Sequence, residues 1–547
     1  MKNLKKHLLT KDLVIGLGEI GDPILKIVSK GFPTIGYDVD PKLMFWNDMQ
    51  FLYFGLAKSL QEMFDCELFT IIECTDKPKK FFKEQKIVNF KKFWFYHDYI
   101  KDINQKPDLE YLKSIEKKYG INLWLIAFND RIFNHMNEFY DFSTNQIFSI
   151  LEQECKFYEK ILNEIKPDFM LMPPTHQQHN HIFYEMCRAK GIHVLIGSQT
   201  RLGMRILLSD KMDPMYPLPS LSSFEKGELI VDPIKYLETT NNSQVNKIFN
   251  NVFLSSKKKF GKAAWNFLLT ENSNIKTHYS YYGRNKIKVL DKRVSLELKS
   301  KRRESFMNKN LKNKVQTKSP FIYYPLHQEI ERALLLGAPF YLNQFELIKN
   351  IAKSLPIGYK LIVKDHPNMK HRGWRSISEM KKIMKVQSVE LLHPGSNSVE
   401  LIKKSDLVFT INGSASIEAA IYQTPSIILE DTGPFQLPSM YKVNSFNELP
   451  MAIRTCLDKK VKRDDVIRYI NAIEKNSIIF EDQEIMLKFH DLFYDGGFLA
   501  NKELPVEKIK LFLEQYKTNF DNFAAFHVKA IKKYLKNNKF SDSVSIK

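Results

Sequence analysis

Short apolar runs rich in β-branched and aromatic residues alternate with stretches of helical period along most of this chain. That rhythm predicts strands and helices in turn. Residues 12–40 read strand–turn–helix–strand: DLVIGLG, EIGDPILKIVSKG, PTIGYDVD. A new series follows, with KLMFWND as strand, MQFLYFGLAKSLQEMF as helix and CELFTIIE as strand. KFWFYH and NLWLIAF are two further short strand candidates. Ser143 to Lys166 carries Ile147, Ile150, Leu151, Phe157, Ile161 and Leu162 at helical spacing, which predicts one long amphipathic helix. DFMLM and HVLIG predict strands, separated by a helix that ends near Gly191.

The rhythm breaks over residues 210–320. Met212 to Ser223 holds three prolines and several serines, and Lys- and Asn-rich helical segments follow. From Pro320 the alternation returns more cleanly. FIYYPL, YKLIVKDHP, VELLHP, DLVFTIN and PSIILE predict five strands, with four helices between them and short loops. Beyond about residue 450 the pattern is mostly helical. Alternating strands and helices imply parallel sheets covered on both faces. The expectation is therefore a βαβ unit over 1–40, a doubly wound domain over 41–210 and a basic helical connector over 211–319. A second doubly wound domain over 320–450 and a helical tail over 451–547 complete it.

The 547 residues suffice for two or three cores, and 44 % hydrophobic with 26 % charged residues is ordinary for a folded chain. A net charge of +20 admits nucleic acid, an anionic membrane surface or an anionic substrate as partner. Its distribution narrows the choice. Arg284 to Lys318 holds thirteen Lys/Arg against three Asp/Glu, a net +10. Few aromatics interleave there, which argues against nucleic acid and leaves a solvated helical face or attraction to anionic headgroups over 284–318. The five cysteines are scattered with no C-x-x-C pair, so neither a disulfide framework nor a zinc site is expected. Acidic Asp12, Glu19 and Asp22 interrupt the N-terminal apolar run, and no stretch is apolar for ~18 residues. A cytoplasmic protein, peripheral on the membrane's inner face at most, is the expectation.

Four motifs carry candidate chemistry. Gly16-Leu-Gly18-Glu-Ile-Gly21 follows a strand, opens a helix and is followed by Asp38 at the next strand's end. This is the context of a dinucleotide fingerprint. It resembles the start of a nucleotide-sugar dehydrogenase for about 30 residues; no dehydrogenase nucleophile follows, and NAD is not expected. Lys364-Asp365-His366-Pro367 ends a strand at its carboxyl edge, where open α/β sheets bind ligands; Lys364 and His366 can both donate to phosphate, and Pro367 fixes the turn. Asn412-Gly413-Ser414-Ala415-Ser416-Ile417-Glu418 follows a strand and opens a helix. Small residues and free first-turn N–H groups suit a phosphate, with Glu418 toward a ribose, although plain N-capping by Ser414 explains the same residues. Gln328 and His393 lie in loops predicted on the same edge. In the first domain His176, His179 and His181 cluster after DFMLM. The spacing is poor for a metal, so none is expected. His176 and Asp130 are candidates for an acceptor contact or a catalytic base.

The runs FIYYPLHQE, YKLIVKDHP and VELLHPGSNSVELIKKSDLVFTINGSASIEAAIYQTPSII resemble the capsule polysaccharide biosynthesis proteins, GT-B-fold relatives of Kdo transferases. The K-x-H-P element matches Lys364, His366 and Pro367, and the S-x-x-x-E element matches Ser414 and Glu418. The resemblance implies two facing Rossmann-type domains, with the His-Pro element on the phosphate of a nucleotide sugar, a CMP-sugar favoured. It implies transfer of a sugar, Kdo-like by analogy, to a glycan or lipid-linked acceptor without a required cofactor or metal. A nucleotide-sugar epimerase or hydrolase of the same fold, or a non-catalytic role in polysaccharide assembly or export, is the alternative.

Overall fold

The computed structural model describes residues 40–544 apart from 136–138, 213–231, 241–264, 266–267, 270–278, 432–436 and 496–500. The turn with Gly16, Gly18, Gly21 and Asp38 lies outside the described residues, as does much of the connector.

The first sheet grows from β1 (Lys42–Asn47), helix α1 (Leu52–Met63), β2 (Glu67–Ile72) and β3 (Phe90–Phe95). β1 is buried over its last five residues. Such a run suits an inner strand covered on both faces. The NLWLIAF segment departs from expectation and forms a short helix, α2 (Leu123–Phe128). A short apolar run fits either period. The Asn122 side chain accepts from the Leu125 N–H, and that cap selects the helix. Helices α3 (Thr144–Ile165) and α4 (Gln178–Ala189) flank β4 (Phe169–Met172), and β5 (His193–Gln199) and β6 (Arg205–Ser209) close the series. Ser143 and Gln146 form the reciprocal capping box that starts α3.

A long basic helix, α5 (Lys286–Asn310), leads to the second sheet. That sheet contains β7 (Phe321–Pro325), β8 (Lys360–Lys364), β9 (Val389–Leu392) and β10 (Leu407–Thr410), with helix α6 (Ser414–Ile421), β11 (Ser426–Ile428) and β12 (Met440–Lys442) after them. All its strand pairs are parallel, in the order β12-β11-β10-β7-β8-β9. The pattern of hydrophobic positions had indicated five of these six strands. β12 is three residues long and too short to show a period.

The chain then returns to the first sheet. Strand β13 (Ile478–Ile479) pairs antiparallel with β6, giving the order β13-β6-β5-β4-β1-β2-β3. Arg205 fixes this return by donating to Ser477 Oγ at 2.9 Å and pairing with Glu474 at 2.9 Å. The last helix, α7 (Lys517–Val544), lies on α1. Phe480, Phe489, Phe512, Phe520 and Phe523 join the core formed by Leu43, Phe54, Leu56 and Leu171. The helical C-terminus is thus one of the two layers covering the first sheet, and α3 and α4 supply the other. Two doubly wound sheets with this crossing-back tail form a GT-B-like fold.

Gly55 is where α7 presses closest. A Cβ at that position would stand 2.3 Å from the buried Phe520 ring. Gly55→Ala should therefore destabilise the protein by about 1–3 kcal/mol, read as a lower urea midpoint.

Candidate functional site

The parallel register aligns the ends of β7, β8 and β9, with Pro325 opposite Lys364 and Lys364 opposite Leu392. The loops after β7, β8, β9 and β10 therefore emerge on one edge. Lys364 is buried there, and its ammonium donates to the Pro394 carbonyl at 3.4 Å. Burial pushes its pKa down to about 8 against the pull of Asp365 and Glu418. Burial likewise raises Glu418, opposed by its bond from Ser414 and by Lys364. Each group feels the other's charge.

His366 is held in one tautomer. Its Nδ1 accepts from the Asn368 backbone N–H at 3.2 Å, and the Gln328 side-chain amide stands at 3.3 Å from the same atom. Burial, with Lys364 nearby, lowers its pKa, so the neutral ring carries its proton on Nε2. That leaves Nε2 as an N–H donor within electrostatic reach of the Lys364 ammonium. Pro367 opens the six-residue 3-10 helix Pro367–Arg372 that His366 caps.

The loop after β10 is built for close approach. Gly413 precedes α6, no side chain caps that helix, and a Cβ on Gly413 would lie 3.1 Å from Thr410 Oγ1 and 3.2 Å from His327 Nε2. First-turn N–H groups with no side-chain cap favour an anion. Asn412 and Ser416 serve the loop itself: Asn412 Nδ2 donates to the Ala333 carbonyl, and the Ser416 hydroxyl to Gly413 at 2.9 Å. His393 stands apart. Its Nε2 is 3.0 Å from Asn308 on α5 and its Nδ1 accepts from the Gly395 N–H. Its neighbour Pro394, through the carbonyl, is what reaches Lys364. His327, which burial drives to about 4, locks the loops together, since the Gln344 amide binds both its N–H and its carbonyl.

Across from this edge lies the first domain. Both Asp130 oxygens are engaged by backbone N–H groups, Oδ2 by Gln178 and Oδ1 by Ile132. These bonds tie Asp130 to the start of helix α4, and burial raises its pKa against them. The His176 side chain reaches the surface, and the protein packed around it, with Arg131 and Arg332, lowers its pKa. The neighbouring rings turn to other partners: His181 to Thr175 at 3.0 Å, His179 to Glu73 at 3.0 Å.

Glu73, just beyond β2, receives the Trp46 indole N–H as well as facing His179. Burial pushes the His179 imidazole down, but Glu73 and then Glu154 outweigh it, so its pKa is raised. Tyr96 stacks on His179 at 4.6 Å and donates to Glu154. This buried network aims His179 at Glu73. Glu73 lines a cavity of about 180 Å³ with Thr75, His97, Gln177, Tyr281 and Arg284. Arginines from both domains complete the cleft. Arg201 donates to the Asn412 carbonyl at 3.2 Å, reaching across from the first domain, and Arg131, Arg201 and Arg372 all act on the charge of Glu331.

Residues 233–431 match the capsule polysaccharide biosynthesis protein family. The match holds the whole Lys364–His366–Glu418 edge. No curated protein matches the chain. Among solved structures, the UDP-GlcNAc 2-epimerase of Methanocaldococcus jannaschii, in complex with UDP-GlcNAc and UDP, is 14 % identical, with 79 % of this chain and 99 % of that chain covered and a TM-score of 0.25. The KpsC beta Kdo 2,7 transferase of Thermosulfurimonas dismutans is 14 % identical over 54 % of this chain and 79 % of its own, TM-score 0.24. The beta Kdo 2,4 transferase of the same KpsC is 12 % identical over 56 % and 87 %, TM-score 0.25. The functional reading therefore rests on the capsule-family match and on the site.

The capsule-family segment contains Lys364, His366 and Glu418 but no residue of the first sheet. Glu73, Arg131 and Arg201 were not apparent from sequence. The one available signal for Glu73 was its place just beyond the strand CELFTII, at a carboxyl edge. Arg201 offered none, since only the facing of the two domains gives it a target.

Proposed function

We propose that this chain is a glycosyltransferase of capsule or surface polysaccharide synthesis, moving a sugar from a nucleotide donor to a glycan or lipid-linked acceptor. The carrying observation is the shared sheet edge on which the buried Lys364, the Nε2–H of His366 and the uncapped start of α6 emerge after β8 and β10. The acceptor hydroxyl oxygen would bond to the anomeric carbon as the bond from that carbon to the phosphate oxygen breaks. The electron pair leaves on phosphate, where Lys364, His366 and the first-turn N–H groups of α6 meet the growing charge. The hydroxyl proton passes to Glu73 across the cleft, with His179 holding that carboxylate in place. Glu418 receives the ribose hydroxyls. A CMP-linked, Kdo-like sugar is the donor favoured by the family resemblance. All these groups are protein donors and acceptors, so the reading calls on no cofactor.

Thermal-shift titration with CMP-, UDP- and GDP-sugars tests the donor. A true donor at ~100 Kd should add about 2.7 kcal/mol of stability. Incubation with the donor alone separates transfer from epimerase or hydrolase chemistry; turnover without any acceptor would overturn the proposal.

Donor affinity should also depend on pH with a defined sign. The depressed Lys364 is charged below about 8 and neutral above it. Affinity for an anionic phosphate should be full at neutral pH and fall as pH rises through about 8. Calorimetric Kd values across that range check this, and Lys364→Arg should remove the fall.

A further inference from the structure

Helix α5 has two unlike faces. One is clamped to the second domain: Arg303 donates to the carbonyls of Gly373 at 2.8 Å and Trp374 at 2.7 Å, and Met307 is buried in the core. The opposite face carries Ile287, Val294 and Leu298, which are 80 %, 59 % and 62 % exposed. Spacings of seven and four residues set these three side chains in one line along the helix. The clamp prevents that line from rotating inward. Beside it stand exposed Lys288, Lys301 and Arg302, and the helix as a whole has nine Lys/Arg against three Asp/Glu. Near its start Lys286 Nζ donates to the Leu268 carbonyl at 2.7 Å. This brings in Leu269, 67 % exposed, from a segment that also exposes Trp265.

We propose that this face of α5 docks on an anionic lipid bilayer. A purely solvated face needs no apolar line, and a nucleic acid would not use one. A second copy would set two net-positive helices against each other. A basic helix with an exposed apolar stripe lies in the bilayer interface, stripe toward the acyl boundary and Lys/Arg among anionic headgroups. Because α5 grips Gly373 and Trp374, just past the turn that His366 begins, docking holds the donor edge close to the membrane. That consequence rests on the transferase reading; the docking itself does not.

Co-sedimentation of the full chain with lipid vesicles, without donor or acceptor, tests it. Binding is expected to phosphatidylcholine–phosphatidylglycerol vesicles and not to phosphatidylcholine alone, weakening with salt. Val294→Asp with Leu298→Asp should reduce binding by about tenfold or more, and Lys301→Glu with Arg302→Glu likewise. Both pairs are exposed, so melting temperatures should match the parent, as should transfer to a soluble acceptor. Absence of binding to anionic vesicles, equal binding to both vesicle types, or full binding by the Asp pair would overturn the proposal. So would a dimer in lipid-free solution that the Asp pair dissociates, which would assign the stripe to a second copy.

Discussion

Glu73→Gln should lower kcat by about 10²–10⁴-fold while leaving donor affinity unchanged. Gln is nearly isosteric and can still meet the Trp46 N–H, which reaches the carboxylate at 3.1 Å. What it cannot do is take the acceptor proton. It also removes the charge that lifts His179, at 3.0 Å, above its ordinary range. The acid limb of the pH–kcat profile, set by ionisation of the base, should therefore be lost, whereas a merely structural role would leave the profile intact and lower stability instead. Asp130→Asn gives the contrast. Its oxygens accept from Gln178 and Ile132, so the loss there should appear in melting temperature before it appears in rate. A Glu73→Gln protein with near-parental kcat would remove this residue as the base.

His366→Ala should cost about 10²–10³-fold in kcat, the usual effect of losing one preorganised donor to a developing negative charge. The effect should fall on kcat more than on KM, because phosphate charge grows toward the transition state. Gln328→Leu offers a finer test. Gln328 stands 3.3 Å from His366 Nδ1 and helps to fix which nitrogen carries the proton. Its loss should give a smaller drop, with the fold intact. Equal activity in His366→Ala and parent would sink the proposed mechanism and favour a non-catalytic role in polysaccharide assembly.

The strand edge that bears Lys364 and His366 was legible because its determinants are local. YKLIVKDHP contains both the strand and the turn that ends it, and DLVFTINGSASIE contains the strand, the glycine and the helix start. Parallel pairing with short connections then puts successive strand ends on one edge. Some details were local yet ambiguous. NLWLIAF fits either period until Asn122 caps it. His393 sits in an edge loop as read, but its side chain turns to Asn308 on a helix 85 residues away in sequence, and no pattern within the loop reports that.

By itself, the sequence determined two doubly wound sheets and a strand edge that bears Lys364, His366, Gly413 and Glu418, since hydrophobic period and turn chemistry act over a few residues. Only the tertiary structure decided that β13 and α7 return to the first sheet, because burial of Phe480, Phe520 and Phe523 in one core with Leu43 and Phe54 joins distant parts of the chain. It also took Asp130 into a helix cap, brought Glu73 to His179 and carried Arg201 to Asn412. Each of those pairings joins residues more than 45 apart, where only the packed fold sets distance and burial, and with them charge and reactivity.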